Sequence, residues 1–538
     1  MNPTQFDYII VGAGSAGCVL ANRLSENPNH SVCLIEAGKQ DNNILIKAPF
    51  GLAAMVPNNL FSWGFETTEQ AGLNKRKGFQ PRGKVLGGSS SINAMMYVRG
   101  NPWDYDNWAA LGNTGWGYEE VLPYFKKAEN NETFQQCEYH GNTGPLNVAE
   151  LRSPSPLNET FMAACQLNNI PYNSDVNGKR QLGCRLTQVT QKNGERCSTA
   201  NAYLHPALTR NNLTVITQAQ ANKVLFEGKT ATGVEVTIKK QTQTLLAKKE
   251  VILSGGAYGS PQLLMLSGVG NAEHLKQHGI AVVHDLPGVG ENLQDHITTT
   301  PIYRSTTHKG SYGFSVHGCI EFVKGVYQWI TQRKGMITTN FAESLAFAYV
   351  DSSEPAPDIE LEFLPGIVDD HNRTNHGGHG YSIHATLLRP KSVGSLKLKS
   401  NKPSDGPLIN PNFLSEPDDL NKLAKGLQLA LNIMESAPFA AIKGKMIYPL
   451  DANDFKQLKQ YCQEKADTEY HPVGTCKMGP DSDPMAVVDH ELKVKGIKNL
   501  RVIDASIMPN LVSGNTNAPT IMISEKGADM ILAGLLKK

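Results

Sequence analysis

The chain sets short apolar runs against glycine-rich breaks from its first residues. FDYIIV (6–11) is a continuous apolar run, the pattern of a strand buried on both faces. CVLANRLSE follows with apolar residues at helical spacing, and SVCLIEAG (31–38) is a second apolar strand that ends in Glu36. The theme returns at EVILS (250–254), a strand that passes through GGAYG into the apolar run SPQLLMLSG. Between about 306 and 459 the pattern changes. IELEFLP and YSIHATLLRP predict strands and LNKLAKGLQLALNIMES predicts a helix, with no phosphate-cradling loop among them. The histidine-rich HNRTNHGGHGYSIH (371–384) predicts a polar surface loop leading into a strand. No run reaches the ~18 apolar residues of a spanning helix, and no basic segment precedes the first apolar run.

At 538 residues the chain predicts two or more domains. Lys plus Arg number 51 against 50 for Asp plus Glu, a net charge of +1, which supplies no field for nucleic acid. The nine cysteines include no C-x-x-C pair, which predicts reduced thiols and a cytoplasmic setting.

Residues 12–17 read GAGSAG, so the chain opens with strand, G-x-G-x-x-G, helix, strand and acid in the order of a dinucleotide-binding fold. Gly12, Gly14 and Gly17, with Ser15 and Ala16, let the backbone approach a pyrophosphate at a helix N-terminus. Glu36 falls 19 residues after Gly17, near the ~20 expected for the acid that accepts hydrogen bonds from the ribose. The motif does not separate FAD from NAD.

One further stretch, EYHPVGTCKMG (469–479), places His471 before a proline, which favours a rigid extended loop over a helix face. Its residues leave three readings open: a packed core histidine, a metal ligand shared with Cys476, or a catalytic base.

Two glycine-rich stretches, PRGKVLGGSSSINAMMYVRG (81–100) and GGAYGSPQLLMLSGVG (255–270), resemble the two signature motifs of the glucose–methanol–choline (GMC) oxidoreductases, flavoenzymes that oxidise alcohols on FAD. The closing segment NLRVIDASIMPNLVSGNTNAPTIMISEKGAD (499–529) and HPVGTCKMG resemble the same family, so the likeness runs from Asp7 to Asp529. It implies an α/β, overall α+β, protein. A Rossmann-like FAD-binding domain would be assembled from 1–155, 198–305 and 460–538. A substrate-binding domain, an antiparallel sheet backed by helices, would take 156–197 and 306–459. FAD contacts would come from the first motif and Glu36, from Gly87, Gly88, Ser89, Asn93, Ala94 and Met95, from Val224, and from Asp504, Ala505, Asn515 and Thr516. Some relatives tether FAD through a histidine at the place of Ile92, so FAD is expected to be non-covalent here.

The resemblance also makes His471 the general base, an imidazole near neutral pKa that takes the hydroxyl proton as hydride leaves for the flavin. Asn515 would hydrogen-bond the substrate oxygen, and the reaction needs no metal. Trp63, Tyr470 and Glu343 stand where choline-handling relatives grip a trimethylammonium group. NAMMYVRG and MITTNFAESLAF would line an apolar pocket, and the expectation leans to uncharged primary alcohols. The likeness is strongest to bacterial membrane-associated alcohol dehydrogenases that pass electrons to quinone, and nearly as strong to choline dehydrogenases. Oxygen as acceptor, and the non-redox hydroxynitrile lyases of the same fold, are the alternatives. Peripheral contact with the inner membrane is expected, and ADMILAGLLKK at the C-terminus is either a lipid contact or a packed helix.

Overall fold

The computed structural model describes residues 4–135 and 137–536. Its first sheet has seven strands. FDYIIV lies within the strand Thr4–Val11, which pairs in parallel with Val32–Ile35 on one side and Gln241–Leu253 on the other. Leu213–Ile216 extends the parallel part beyond Val32–Ile35, and Leu500–Val502 pairs with Gln241–Leu253. The side chains of Tyr8, Ile9, Ile10 and Leu34 are buried, as strands covered on both faces require. The antiparallel strands Thr230–Ile238 and Ala219–Glu227 complete the sheet.

The helix Ser15–Ser25 packs against the helix Asn517–Leu536, which joins the two ends of the chain. The contact is polar as well as apolar. Arg23 donates two hydrogen bonds of 2.8 Å to the buried Glu525, which also accepts from the Tyr203 hydroxyl at 2.9 Å. A paired guanidinium is what allows a carboxylate to be enclosed without a large desolvation cost. Ala528 and Ile531 of the C-terminal helix are likewise buried, so the start of ADMILAGLLKK is packed protein; Lys537 and Lys538 lie outside the described residues.

The second sheet has eight strands and is antiparallel throughout. Its central order runs Ile302–Ser305, Gly380–Leu387, Ile359–Leu364, Ser344–Ala348 and Gly183–Leu186. Leu361 and Phe363 point from one face into a core shared with the helices Leu157–Leu167, Pro417–Glu435 and Phe455–Lys465. The other face looks toward the first domain. The strands Ile297–Thr299, Ile302–Ser305 and Asp467–Thr468 belong to this second sheet, although the sequence placed 198–305 and 460–538 with the first domain. These are the crossing points between domains, where short strands carry no glycine signature to mark the change of sheet. Among the described residues no helix is long and apolar enough to cross a membrane.

Candidate active site

A cavity of about 860 Å³ runs between the two sheets. One end is built from the first glycine-rich motif. Gly12, Gly14, Ser15 and Ala16 line it at the N-terminus of the helix Ser15–Ser25. Gly14 caps that helix without any side-chain hydrogen bond, so its first N–H groups remain available to an anion. Gly17 does not reach the cavity. A Cβ there would stand 1.8 Å from the Gly12 carbonyl oxygen, so this glycine lets helix and strand pack together. Glu36 lines the cavity and accepts the N–H groups of Ala13 at 2.9 Å and Gly38 at 2.7 Å. Burial pushes its carboxyl up to about 7 against those two donors.

The second motif closes on the first. The Gly87 N–H donates to the Ala13 carbonyl at 2.8 Å, with Gly87 in a left-handed conformation at φ 84°. Gly87 therefore shapes the turn, while Gly88 and Ser89 line the cavity. A Cβ on Gly88 would meet the Gly14 Cα at 2.6 Å, so a glycine is needed at 88 for the two loops to approach. Asn93, Ala94 and Met95 continue the wall. Asn93 is oriented by Arg196, a buried guanidinium that donates to its side-chain oxygen at 2.8 Å and its carbonyl at 2.7 Å. Arg196 has no acidic partner among the described residues, and burial lowers its pKa to about 9. Sequence reading overlooked it, because an isolated Arg196-Cys197 pair between turns carries no spacing signal.

From the C-terminal segment, Asp504, Ala505, Asn515 and Thr516 line the same cavity. Asp504 accepts from the Gly256 N–H at 2.8 Å and the Ser260 hydroxyl at 2.6 Å, which ties this segment to the third glycine-rich stretch. Val224 does not line the cavity. Its side chain is in the core and its N–H donates to Ser267, because a register shift between Ala221 and Lys223 turns the strand; Ala219 and Ala221 face the cavity in its place. An uncapped helix N-terminus that donates, a buried carboxylate beside it that accepts, and three glycine-rich walls are the polar groups and clearances that FAD requires.

At the other end stand His471 and Asn515. The His471 backbone N–H donates to Asp295 at 2.8 Å, and Thr468 fixes the other Asp295 oxygen at 2.6 Å. The ring lies between two partners, with Nδ1 2.9 Å from the His296 Nδ1 and Nε2 3.2 Å from the Asn515 amide nitrogen. The His296 Nε2 is 3.0 Å from the Leu388 carbonyl, which only accepts, so Nε2 of His296 carries its proton. Burial lowers the His296 pKa to about 4, which leaves the ring neutral and its Nδ1 an acceptor. His471 must then donate through Nδ1, and its Nε2 presents a lone pair beside Asn515. Burial, the His296 ring and Arg82 hold the His471 pKa well below the ordinary imidazole value, so it is lower than the near-neutral value expected from sequence. Cys476 belongs to the core of the first domain.

The three residues assigned to a cationic headgroup behave differently. Tyr470 and Trp63 line the cavity. Trp63 is already occupied: the Lys84 ammonium lies 4.0 Å from its ring centroid and Phe65 stacks on it at 5.7 Å. Glu343 does not line the cavity. It is fully buried behind the wall, accepting from the Ser155 N–H and Asn158 amide at 2.7 Å and from the Tyr312 and Thr339 hydroxyls at 2.6 Å. Its strand begins at Ser344, and the tight turn before it points the carboxylate into this donor set. The loop 371–379 is not wholly on the surface either, since His371, Asn372 and His376 line the cavity.

Two GMC oxidoreductase family models match this sequence, over residues 6–298 and 390–524. The chain belongs to the GMC oxidoreductases. As such it is an FAD-dependent oxidoreductase with the α/β architecture of the family. It is 47% identical over 534 residues to an alcohol dehydrogenase [acceptor] of Pseudomonas putida, covering 98% of this chain and 96% of that one. It is 44% identical over 540 residues to the mitochondrial choline dehydrogenase of Homo sapiens, covering 98% and 90%. Among solved structures, pyridoxine 4-oxidase from Mesorbium loti superposes with a TM-score of 0.88 at 30% identity, covering 98% of this GMC oxidoreductase and 99% of that chain.

Proposed function

We propose that the protein oxidises primary alcohols to aldehydes and delivers the electrons to a quinone. The observation that carries the reading is the His471 Nε2 lone pair, aimed with the Asn515 amide into a cavity whose far end suits FAD. FAD, when bound, supplies the hydride acceptor. His471 takes the hydroxyl proton on Nε2, and its Nδ1–H stays on His296, which orients the ring and spreads the charge that appears. Asn515 donates to the substrate oxygen and steadies the alkoxide as it develops. Ile92 offers no nucleophile, which supports non-covalent FAD.

The acceptor and its location rest on a different surface. Seven of the seventeen exposed large hydrophobic side chains among the described residues fall between 314 and 330. Val316, Ile320, Val323, Tyr327 and Ile330 form one stripe on the helix Val316–Gln332, at helical spacing. Phe314, Phe322 and Val323 are also part of the cavity wall, and the exposed Lys309, Lys324 (paired with Glu321) and Lys334 lie close to the stripe in sequence. An exposed apolar helix face suits a lipid surface, and here part of it also lines the cavity. This is the support for peripheral membrane contact and for a lipid-borne quinone. A choline-oxidising reading draws support from the likeness to choline dehydrogenases alone.

The test is anaerobic mixing of the yellow holoenzyme with a panel of primary alcohols, including choline. Bleaching of the flavin band by primary alcohols, and reoxidation faster with a quinone analogue than with oxygen, is the expected result. A flavin that stays oxidised with every alcohol would refute it.

A further inference from the structure

Glu360 and Glu362 lie two residues apart on the strand Ile359–Leu364, so both face the first domain while Leu361 and Phe363 enter the core. Strand register puts His384 directly opposite Glu362. A third acid, Glu469, comes from the loop that carries His471 and accepts from the His384 Nδ1 at 2.8 Å. One ligand atom each from Glu362, His384 and Glu469 lie within 4.8 Å of one another, and all three residues line the cavity.

Glu362 is 6% exposed, and its carboxyl is met by a side-chain hydrogen bond from Asn515. Glu360 behind it is 1% exposed, with one oxygen unpartnered, and the His384 Nε2 is unpartnered as well. Burial and the neighbouring acids push the Glu362 carboxyl up to about 8 and raise that of Glu360, while Glu469 is paired with His384, so the cluster leaves a place for a cation with hydrogen-bond donors. Arg82, which also lines the cavity, does not fill it, since its guanidinium is turned to the Pro81 and Tyr470 carbonyls. The place therefore lacks a cation with hydrogen-bond donors. Its position is telling: Asn515 stands beside Glu362, and its amide is 3.2 Å from the His471 Nε2.

We propose that Glu362 and Glu469 form the ammonium pocket of the alcohol site, and that the substrate is a short amino alcohol carrying a primary or secondary ammonium group two or three bonds from its carbinol carbon. The proposal rests on the alcohol-oxidising reading for the position of the hydroxyl. The N–H groups satisfy the Glu362 carboxyl and Glu469, while the hydroxyl lies between His471 and Asn515. The closeness of Glu362 to Asn515 limits the spacer. A quaternary ammonium has no N–H to give, and Trp63, whose ring would attract one, is already covered by Lys84.

The experiment uses FAD-loaded protein, reduced without oxygen so that nothing turns over. Calorimetry compares 3-aminopropan-1-ol with butan-1-ol, its isostere, and with choline. Charge-assisted hydrogen bonds should make the amino alcohol bind at least about tenfold more tightly than butan-1-ol. In Glu362→Gln, which keeps shape and removes charge, the ratio should fall toward one; Glu469→Gln, checked for flavin content, should lower it as well. Butan-1-ol or choline binding as tightly as the amino alcohol to the wild type would overturn the proposal and leave alcohol oxidation intact. So would a site that takes Zn²⁺ tightly and ignores the amine. Oxidised enzyme that no alcohol bleaches would refute the oxidation reading, while the binding ratio would still decide this one.

Discussion

Replacing His296 with leucine should slow flavin reduction without touching substrate or cofactor directly. In the wild type, His296 accepts the His471 Nδ1–H at 2.9 Å and so keeps the lone pair on Nε2. Leucine leaves that N–H buried with no partner, at a cost of about 1–3 kcal/mol. The ring escapes the cost by moving its proton to Nε2, the atom that must be free to act as base. The productive tautomer then becomes the minor one by the same free energy, which is about 5–150-fold in rate at about 1.4 kcal/mol per factor of ten. Asparagine, whose side-chain oxygen can accept, should recover part of that loss. Anaerobic stopped-flow measurement of flavin bleaching at saturating alcohol reads the rate directly. Burial above all lowers the His471 pKa, so the acid limb of the rate profile should lie well below pH 6.5 in the wild type. His296→Leu bleaching at the wild-type rate would refute the tautomer argument.

His471→Ala should lose the ~10²–10⁴-fold of a positioned base while retaining its flavin, and Asn515→Ala should lose less; single-turnover bleaching ranks them. Glu36→Ala should weaken FAD binding at least about tenfold, measured by titrating apoprotein, since the carboxylate faces the cofactor end of the cavity. Because burial lifts Glu36 to about 7, wild-type affinity should fall as pH drops below that value and an acceptor is lost; a pH-independent affinity would contradict the assignment. Acid or heat should release all flavin from the polypeptide, read by filtration, because Ile92 forms no bond to it. Ile320→Glu with Val323→Glu should abolish flotation with vesicles of anionic lipid and leave bleaching by a small soluble alcohol in place.

The cofactor end of the cavity was legible because its chemistry is local. G-x-G-x-x-G, Glu36 and the serines after Gly88 each sit within one turn or one strand, and the fold brings those segments together at Gly14 and Gly88. The alcohol end depends on long-range geometry. His471 and Asn515 are 44 residues apart, and His296, 175 residues from His471, decides which nitrogen is the base; nothing in its surroundings signals that role. Glu343 and Glu362 show the same limit more sharply. Glu343 precedes the strand Ser344–Ala348 and Glu362 lies inside Ile359–Leu364, and only the fold tells that Glu362 faces the cavity opposite His384 while Glu343 is enclosed by Tyr312 and Thr339. The apolar stripe 316–330 looks in sequence like an ordinary amphipathic helix, because periodicity does not say which face meets the protein.

The first sheet also sets a timetable for synthesis. Thr4–Val11 pairs with Gln241–Leu253, which in turn pairs with Leu500–Val502, and the N-terminal helix rests on Asn517–Leu536. At ~5–20 residues per second, the strand that emerges first waits tens of seconds for its middle neighbour and roughly as long again for the last one. Until the ribosome lets go of the C-terminal helix, the dinucleotide end of the cavity lacks Asp504, Asn515 and Thr516, so flavin loads only onto a finished polypeptide. Cells short of riboflavin would then accumulate finished chains without flavin rather than stalled fragments.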